Sequence, residues 1–284
     1  MAAQSCYFAL GAVLPWARAG VGAVATQSMV NPGYGPECLA LLAQGIGPAE
    51  ALEQVRAADP DHDVRQVGLV DAAGTVAGFT GARCLDHLGQ QAGDGFSVQA
   101  NMMRRPGVPE AMADAYMSTA GSLATRMLAA LVAAEAAGGD ARGVMSAALI
   151  VVDGTVRPQS WEGVLVDVRV DHHLDPLGEL ARLAVVAEAY RLCDEAEAAL
   201  VAGDGAAALR GAEAGLALLP GEGNLLLSYI AALAGAGRID EARQQAHELI
   251  AGEPGWDVVL RTIVERGLMP LPDGITVDML LAGP

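Results

Sequence analysis

Two rhythms of apolar and polar positions divide the chain. Through residues 1–176 short apolar runs of strand character alternate with pairs of helical segments. Residues 4–14 and 21–27 read as neighbouring strands, and 36–44 and 48–57 as short helices, each opened by a proline near its first turn. Two β segments, 65–70 and 76–79, flank Asp71-Ala72-Ala73-Gly74, a hairpin signal. A strand over 95–102 precedes helices at 109–118 and 123–137, the second stopped by Gly138-Gly139. Strands at 146–152 and 164–170, with Asp153-Gly154 between them, close the series. Strand pairs alternating with helix pairs predict two antiparallel sheets with helices outside, and argue against a doubly wound βαβ sheet.

Beyond residue 176 the pattern is helical only and rich in Ala, Leu and Glu. Gly203, Ala208 and Pro220 recur as Gly237, Ala242 and Pro254, each 34 residues on. That period, with glycine before the second helix and proline at its end, resembles a tetratricopeptide repeat. Two repeats bury too little surface to stand alone, so this tail is expected to pack on the first domain or on a partner chain. The predicted division is a mixed domain at 1–176 and a helical tail at 177–284.

Composition narrows the chemistry. The 284 residues carry 17 basic and 34 acidic side chains, a net charge of −17, and the shorter tail is the more densely acidic part. Nucleic acid and anionic membrane surfaces are therefore not expected as partners. Every basic residue is arginine. Without lysine there is no internal aldimine to pyridoxal phosphate, no Schiff-base aldolase and no P-loop of the usual form. The four cysteines show no C-x-x-C pair, which predicts reduced thiols and a cytoplasmic protein. The apolar start has no basic residues ahead of it and reads as mature structure, and no apolar run is long enough to span a membrane.

Several local patterns invite functional readings. Gly20-Val-Gly-Ala-Val-Ala25 fits a dinucleotide fingerprint, but strand-like residues follow it where a helix is required, so no cofactor is expected. Asp171-His172-His173 with Asp175 has the donor types of a metal-dependent phosphoesterase, yet no early D-x-D accompanies it, and a solvated connection is the expectation. Cys84 and His87 lie on a strand-to-loop passage that does not bring them into contact, so an idle thiol is the default. Asp140 and Arg142, in the loop after the glycine pair, could orient a substrate or each other.

Taken together, Trp16 through Gln27, Tyr34-Gly-Pro36, Arg65-Gln-Val-Gly68, Thr80-Gly-Ala-Arg-Cys84, Asn101-Met102, Gly138-Gly-Asp140, Arg142-Gly143, Ser146-Ala-Ala-Leu149 and Val168-Arg-Val-Asp171 are similar to a bacterial domain-of-unknown-function family with an N-terminal-nucleophile (Ntn) hydrolase-like fold. The resemblance implies an α+β fold, a four-layer αββα sandwich over residues 1–176 followed by the helical-repeat tail. It implies hydrolysis of a small amide by a Thr, Ser or Cys at the start of a strand, whose own α-amino group is the base. The resemblance implies one more strand ahead of this one, opened by a Thr-Phe-Ser-type run, so either the true start lies upstream of Met1, which is the expectation, or the chain has drifted from catalysis and is inactive; removal of Met1 would expose Ala2, which has no nucleophile. Cys6 and Phe79 stand where the resemblance implies histidine, and Ala141 and Met145 where it implies more polar residues. The matched polar positions give Thr26, Asn101 and Thr80 as candidate catalytic residues, with Asn101 or the Thr26 region donating to an oxyanion. Gln27, Asp140 and Arg142 are candidate substrate-binding residues, Arg142 pairing with Asp140 or taking a substrate carboxylate. A homodimer is expected. The competing reading is a non-catalytic scaffold whose acidic tail, 179–284, binds a protein partner; the metal phosphoesterase is third.

Overall fold

Residues 4–14, expected as one strand, hold only the end of one strand, then a reversal and a 3-10 turn that leads to the other sheet. In the computed structural model, which describes residues 1–85, 87–159, 161–272 and 274–282, strand β1 (Ala2–Ser5) ends at a reversal, a 3-10 turn follows at Leu10–Ala12, and β2 (Pro15–Arg18) enters the other sheet. Ala9 is left-handed, with φ of 52°. The Ser146 hydroxyl clamps the reversal, donating to Tyr7 O and accepting from the Leu10 N–H. Leu10 and Leu14 are both buried, in one apolar cluster with Ala3, Ala25 and Ala148. Tyr7 and Phe8 at the reversal are exposed yet apolar, and hydrophobicity alone therefore does not mark the break.

The remaining elements of the mixed region are β3 (Gly22–Ser28), α1 (Tyr34–Leu42), α2 (Pro48–Ala58), β4 (Arg65–Asp71), β5 (Val76–Thr80), β6 (Gly89–Gly93), β7 (Phe96–Ala100), α3 (Val108–Ser118), α4 (Leu123–Ala136), β8 (Ser146–Val152) and β9 (Val164–Val170). All ladders are antiparallel: β2-β3-β4-β5 form one sheet, β1-β8-β9 a second, and β6-β7 a separate hairpin. Helices α1 and α2 cover one face of the four-stranded sheet, where Val24, Val67 and Leu69 meet Cys38, Leu39, Leu52 and Val55. The opposite face meets the three-stranded sheet through Ala25, Ala3 and Ala148. Helix α4 packs on β1 and β8. The architecture is α+β.

The hairpin lies over a gap in the inner face. Gly68 and Gly78 are cross-strand partners on β4 and β5. A Cβ at Gly68 would sit 2.5 Å from Gln99 Oε1, and one at Gly78 would overlap the Gln90 carboxamide. Two missing side chains thus admit two glutamines from the hairpin to the sheet surface.

Helix α5 (Pro176–Val201) begins at residue 176. The chain forms two compact units, Met1–Ala184 and Val185–Pro284, and the division falls inside this helix. In the second unit the helices are α6 (Gly205–Leu218), α7 (Gly223–Gly235), α8 (Ile239–Gly252), α9 (Gly255–Glu265) and α10 (Val277–Leu281). The period of 34 survives in the backbone: Gly203 and Gly237, both left-handed, end helices, and α6 and α8 begin two residues after each. Ala196, Ala208, Ala212 and Ala232 form one buried cluster, small side chains that let helix axes approach. A helical-repeat organisation is what the sequence led us to expect here; the structure adds a core around Ile230, Leu233, Leu249 and Leu260. Among the described residues no helix is long and apolar enough to cross a membrane.

Candidate functional site

A cavity of about 630 Å³ opens within the first unit, lined by residues of β1, β3, β4, β7, α3 and α4. Its wall is mostly apolar. Six of the ten methionines, Met1, Met29, Met102, Met103, Met112 and Met127, line it.

One side of the cavity is held by a row of neutral polar groups. Strand alternation puts Val24 and Thr26 on the helix-covered face of β3 and turns Gln27 inward. The register then pairs Gln27 with Gln66 on β4, and Gln66 with Thr80 on β5, so three polar residues lie side by side across three strands. Gln66 is wholly buried. Its Oε1 accepts from Gln27 Nε2 at 2.7 Å and from Asn101 Nδ2 at 3.1 Å. Its Nε2 donates to Thr80 Oγ1 at 3.0 Å and to Gly89 O at 3.1 Å. The candidates Gln27, Asn101 and Thr80 are therefore brought together by a residue that sequence reasoning did not single out. Gln27 and Asn101 line the cavity, whereas Thr80 lies behind Gln66 and donates to Gln90 Oε1 at 3.3 Å. Thr26 is separated from them: its buried hydroxyl donates to Asn31 O at 3.1 Å on the other face of the strand.

Gln27 and Asn101 share a second feature. Each is followed by a non-glycine residue in the left-handed region, Ser28 with φ of 69° and Met102 with φ of 58°, and both of these line the cavity. Such conformations persist where the surrounding structure over-determines them, and they concentrate at functional sites.

The charged part of the wall comes from the loop after α4. Arg142 donates to both carboxylate oxygens of Asp140, Nε to Oδ1 at 3.0 Å and Nη2 to Oδ2 at 2.8 Å. The backbone N–H groups of Arg142 and Cys6 also donate to this carboxylate, at 2.9 and 3.4 Å. Burial works against ionisation of Asp140, but the hydrogen bonds from Arg142 outweigh it and hold the carboxyl below its ordinary value; the same bonds raise Arg142. Asp140 is buried, while 46% of the Arg142 side chain is exposed. Arg142 Nη2 reaches Ser5 Oγ at 3.4 Å, and Nη1 makes no hydrogen bond among the described residues. On the neighbouring strand Gln4 Nε2 donates to Glu135 Oε1 at 2.8 Å, and burial pushes the Glu135 carboxyl up.

Some polar atoms here lack partners. Gln4 Oε1, Gln99 Oε1 and Ser97 Oγ are buried and accept or donate nothing among the described residues. All three residues line the cavity.

The remaining candidates lie elsewhere. Asp171, His172 and His173 are exposed, and His173 Nδ1 bonds the backbone of Asp175 where α5 begins. Among the described residues no group of three or more His, Cys, Asp or Glu side chains is placed to hold a metal ion. Cys84 Sγ donates to Arg65 O. Met1 pairs with Ile150, its amino group donating to the carbonyl at 2.8 Å, and burial pushes that amine down to about 5. Among the described residues lining the cavity, no Ser or Thr is hydrogen-bonded to a histidine or a carboxylate.

Gln66, Gln99, Gln4 and Ser5 escaped sequence reasoning. The available signal was a glutamine inside an otherwise apolar strand, Arg65-Gln-Val-Gly-Leu-Val70, where burial demands a hydrogen-bonding partner.

A family model described as a family of unknown function, DUF1028, matches residues 1–180. The chain belongs to the DUF1028 family. Its structure is similar to the crystal structure of the DUF1028 protein SPO2555 from Silicibacter pomeroyi, at 30% sequence identity and a TM-score of 0.58, over 64% of this chain and 77% of that one. No curated protein matches the chain. Both the carboxamide row and the Asp140–Arg142 pair lie inside the DUF1028 region, and helices α6 to α10 lie beyond it.

Proposed function

We propose that the cavity of this DUF1028 domain is the substrate site of an amide hydrolase of the Ntn-hydrolase-like type. The observation that carries the reading is the pairing, on one apolar cavity, of a carboxamide row with a half-exposed, rigidly held arginine. Helices α1 and α2 on one antiparallel sheet, a second sheet against it and α4 beyond support the αββα architecture that the resemblance implies. Gln27 and Asn101 each give one N–H to Gln66 and keep a second that has no partner among the described residues and can meet a substrate carbonyl and the negative charge that gathers on its oxygen. Arg142 is the anchor for an anionic substituent, aimed by Asp140. In the overall reaction water adds across the C–N bond, giving a carboxylic acid and an amine. The residues described here bind and orient; none of them is the nucleophile.

The test is release of primary amine from a panel of acyl amides and aminoacyl amides. Release that falls at least about tenfold in Asn101→Ala, with the fold intact by circular dichroism, is expected. Absence of release from every member of the panel overturns the hydrolase.

A second reading is favoured by a pocket of about 310 Å³ in the helical unit, where Asp194 and Glu197 stand beside Leu225, Leu268 and Met269. There the tail is a scaffold for a protein partner. Glu197→Gln in the full chain is expected to release such a partner without altering amine release.

A further inference from the structure

The cavity is too large and too apolar for a small polar amide alone. Its volume is in the range that encloses a drug-sized ligand, and its methionines are flexible, polarisable side chains that pack against chains of varied shape. Three features of this one cavity have to be met by the same molecule.

The first is apolar surface from Met112 and Met127 on the helices and Met102 and Met103 after β7. The second is a set of carboxamide atoms whose hydrogen-bonding capacity is unused. Gln99 Oε1 and Gln4 Oε1 call for a donor, while Gln27 and Asn101 each retain an N–H that calls for an acceptor. A secondary amide, with one N–H and one carbonyl, offers both. The third is the open edge of Arg142, where Asp140 occupies Nε and Nη2 and Nη1 has no partner among the described residues. A chain of net charge −17 does not draw anions to itself, so a carboxylate on the ligand depends on this local cation.

We infer that the ligand of this cavity is an N-acylated amino acid, its acyl chain against the methionines, its amide at the carboxamide row and its carboxylate at Arg142. The inference rests on the reading of the cavity as the amide site and names the substrate class for it. An acyl chain, an amide and a terminal carboxylate occur in that order along such a molecule. Simple fatty acids lack the second feature, and simple fatty amides lack the third.

Binding to the full chain is measured by titration calorimetry with N-decanoylglycine, its methyl ester, decanamide and N-acetylglycine. N-decanoylglycine is expected to bind at least about tenfold more tightly than the ester, because only the acid meets Arg142, and at least about tenfold more tightly than N-acetylglycine, because only the long chain fills the apolar wall. Arg142→Gln is expected to erase the preference for acid over ester, and Arg142→Lys to retain part of it. Equal binding of acid, ester and decanamide by the unaltered protein overturns the inference while leaving an amide-binding cavity standing. Failure of all four compounds to bind overturns both the inference and the reading beneath it. The comparison of acid with ester needs no variant, so a substitution that unfolds the protein does not blunt it.

Discussion

Two aspartate–arginine pairs in the first unit have the same chemistry and opposite situations. In the pair of Asp59 and Arg65, at the end of α2 and the start of β4, Arg65 is used up: Nε and Nη2 go to Asp59, at 2.8 and 3.5 Å, and Nη1 to Met29 O at 2.6 Å. Only 14% of that side chain is exposed. Hydrogen bonding from Arg65 brings the Asp59 carboxyl down to about 2. In the pair of Asp140 and Arg142 the carboxylate is equally enclosed, but 46% of the arginine is exposed and Nη1 makes no hydrogen bond among the described residues. The difference teaches how to separate a structural ion pair from a binding one. A guanidinium with every nitrogen occupied ties chain segments together, whereas one whose partner fills a single edge presents the other to a ligand.

The largest expected effect falls on the closed pair. Arg65→Met leaves a nearly buried carboxylate without its cation and frees Met29 O, and should cost roughly 3 kcal/mol in urea unfolding. A loss no greater than that of Arg142→Gln would break the comparison. Next is the neutral row: Gln66→Leu strands the amides of Gln27 and Asn101 and should cost about 2 kcal/mol, with Gln27→Ala costing less because its side chain borders the cavity.

The pH dependence sharpens the distinction further. Because the folded value of Asp59 lies below the unfolded carboxylate value near 3.9, its stabilisation is present above about pH 4 and is lost as pH falls towards 2. Asp59→Asn should therefore be less stable than the parent at pH 6 and converge with it near pH 2, as followed by thermal unfolding. A constant gap across that window would contradict the assignment. Arg142→Gln is expected to change stability by only about 1 kcal/mol, since Asp140 keeps its backbone donors, while ligand binding falls much further. His172→Ala, on an exposed connection, should stay within about 0.5 kcal/mol of the parent and bind no less ligand.

Parts of the fold were readable in advance for local reasons. The turn Asp71 to Gly74 joins β4 to β5 because Asp71 Oδ1 accepts from the N–H groups of Ala73 and Thr75, a short-range arrangement that the residue types themselves favour. Helix α4 ends where Gly138 and Gly139 take positive φ. Other elements were not readable. Strand β6 is Gly-Gln-Gln-Ala-Gly, with no apolar residue larger than alanine, and it exists because β7 pairs with it over the glycine gap in β4 and β5. The break within residues 4–14 was hidden because exposed Tyr7 and Phe8 at the reversal continue the apolar run. At the candidate site, the contact between Asp140 and Arg142 spans two residues and was visible as a possibility. Gln27, Thr80 and Asn101 were candidates through the resemblance, but the part of Gln66 in joining them was not visible.

By itself the sequence determined the alternation of strand pairs with helix pairs, the local turns, the 34-residue spacing of the tail and a lysine-free, acidic surface, since each follows from residue type and short-range geometry. Tertiary structure alone decided which polar residues share a wall. Strand register is set by pairing between segments dozens of residues apart, and a shift of one position would turn Gln27 or Gln66 to the opposite face.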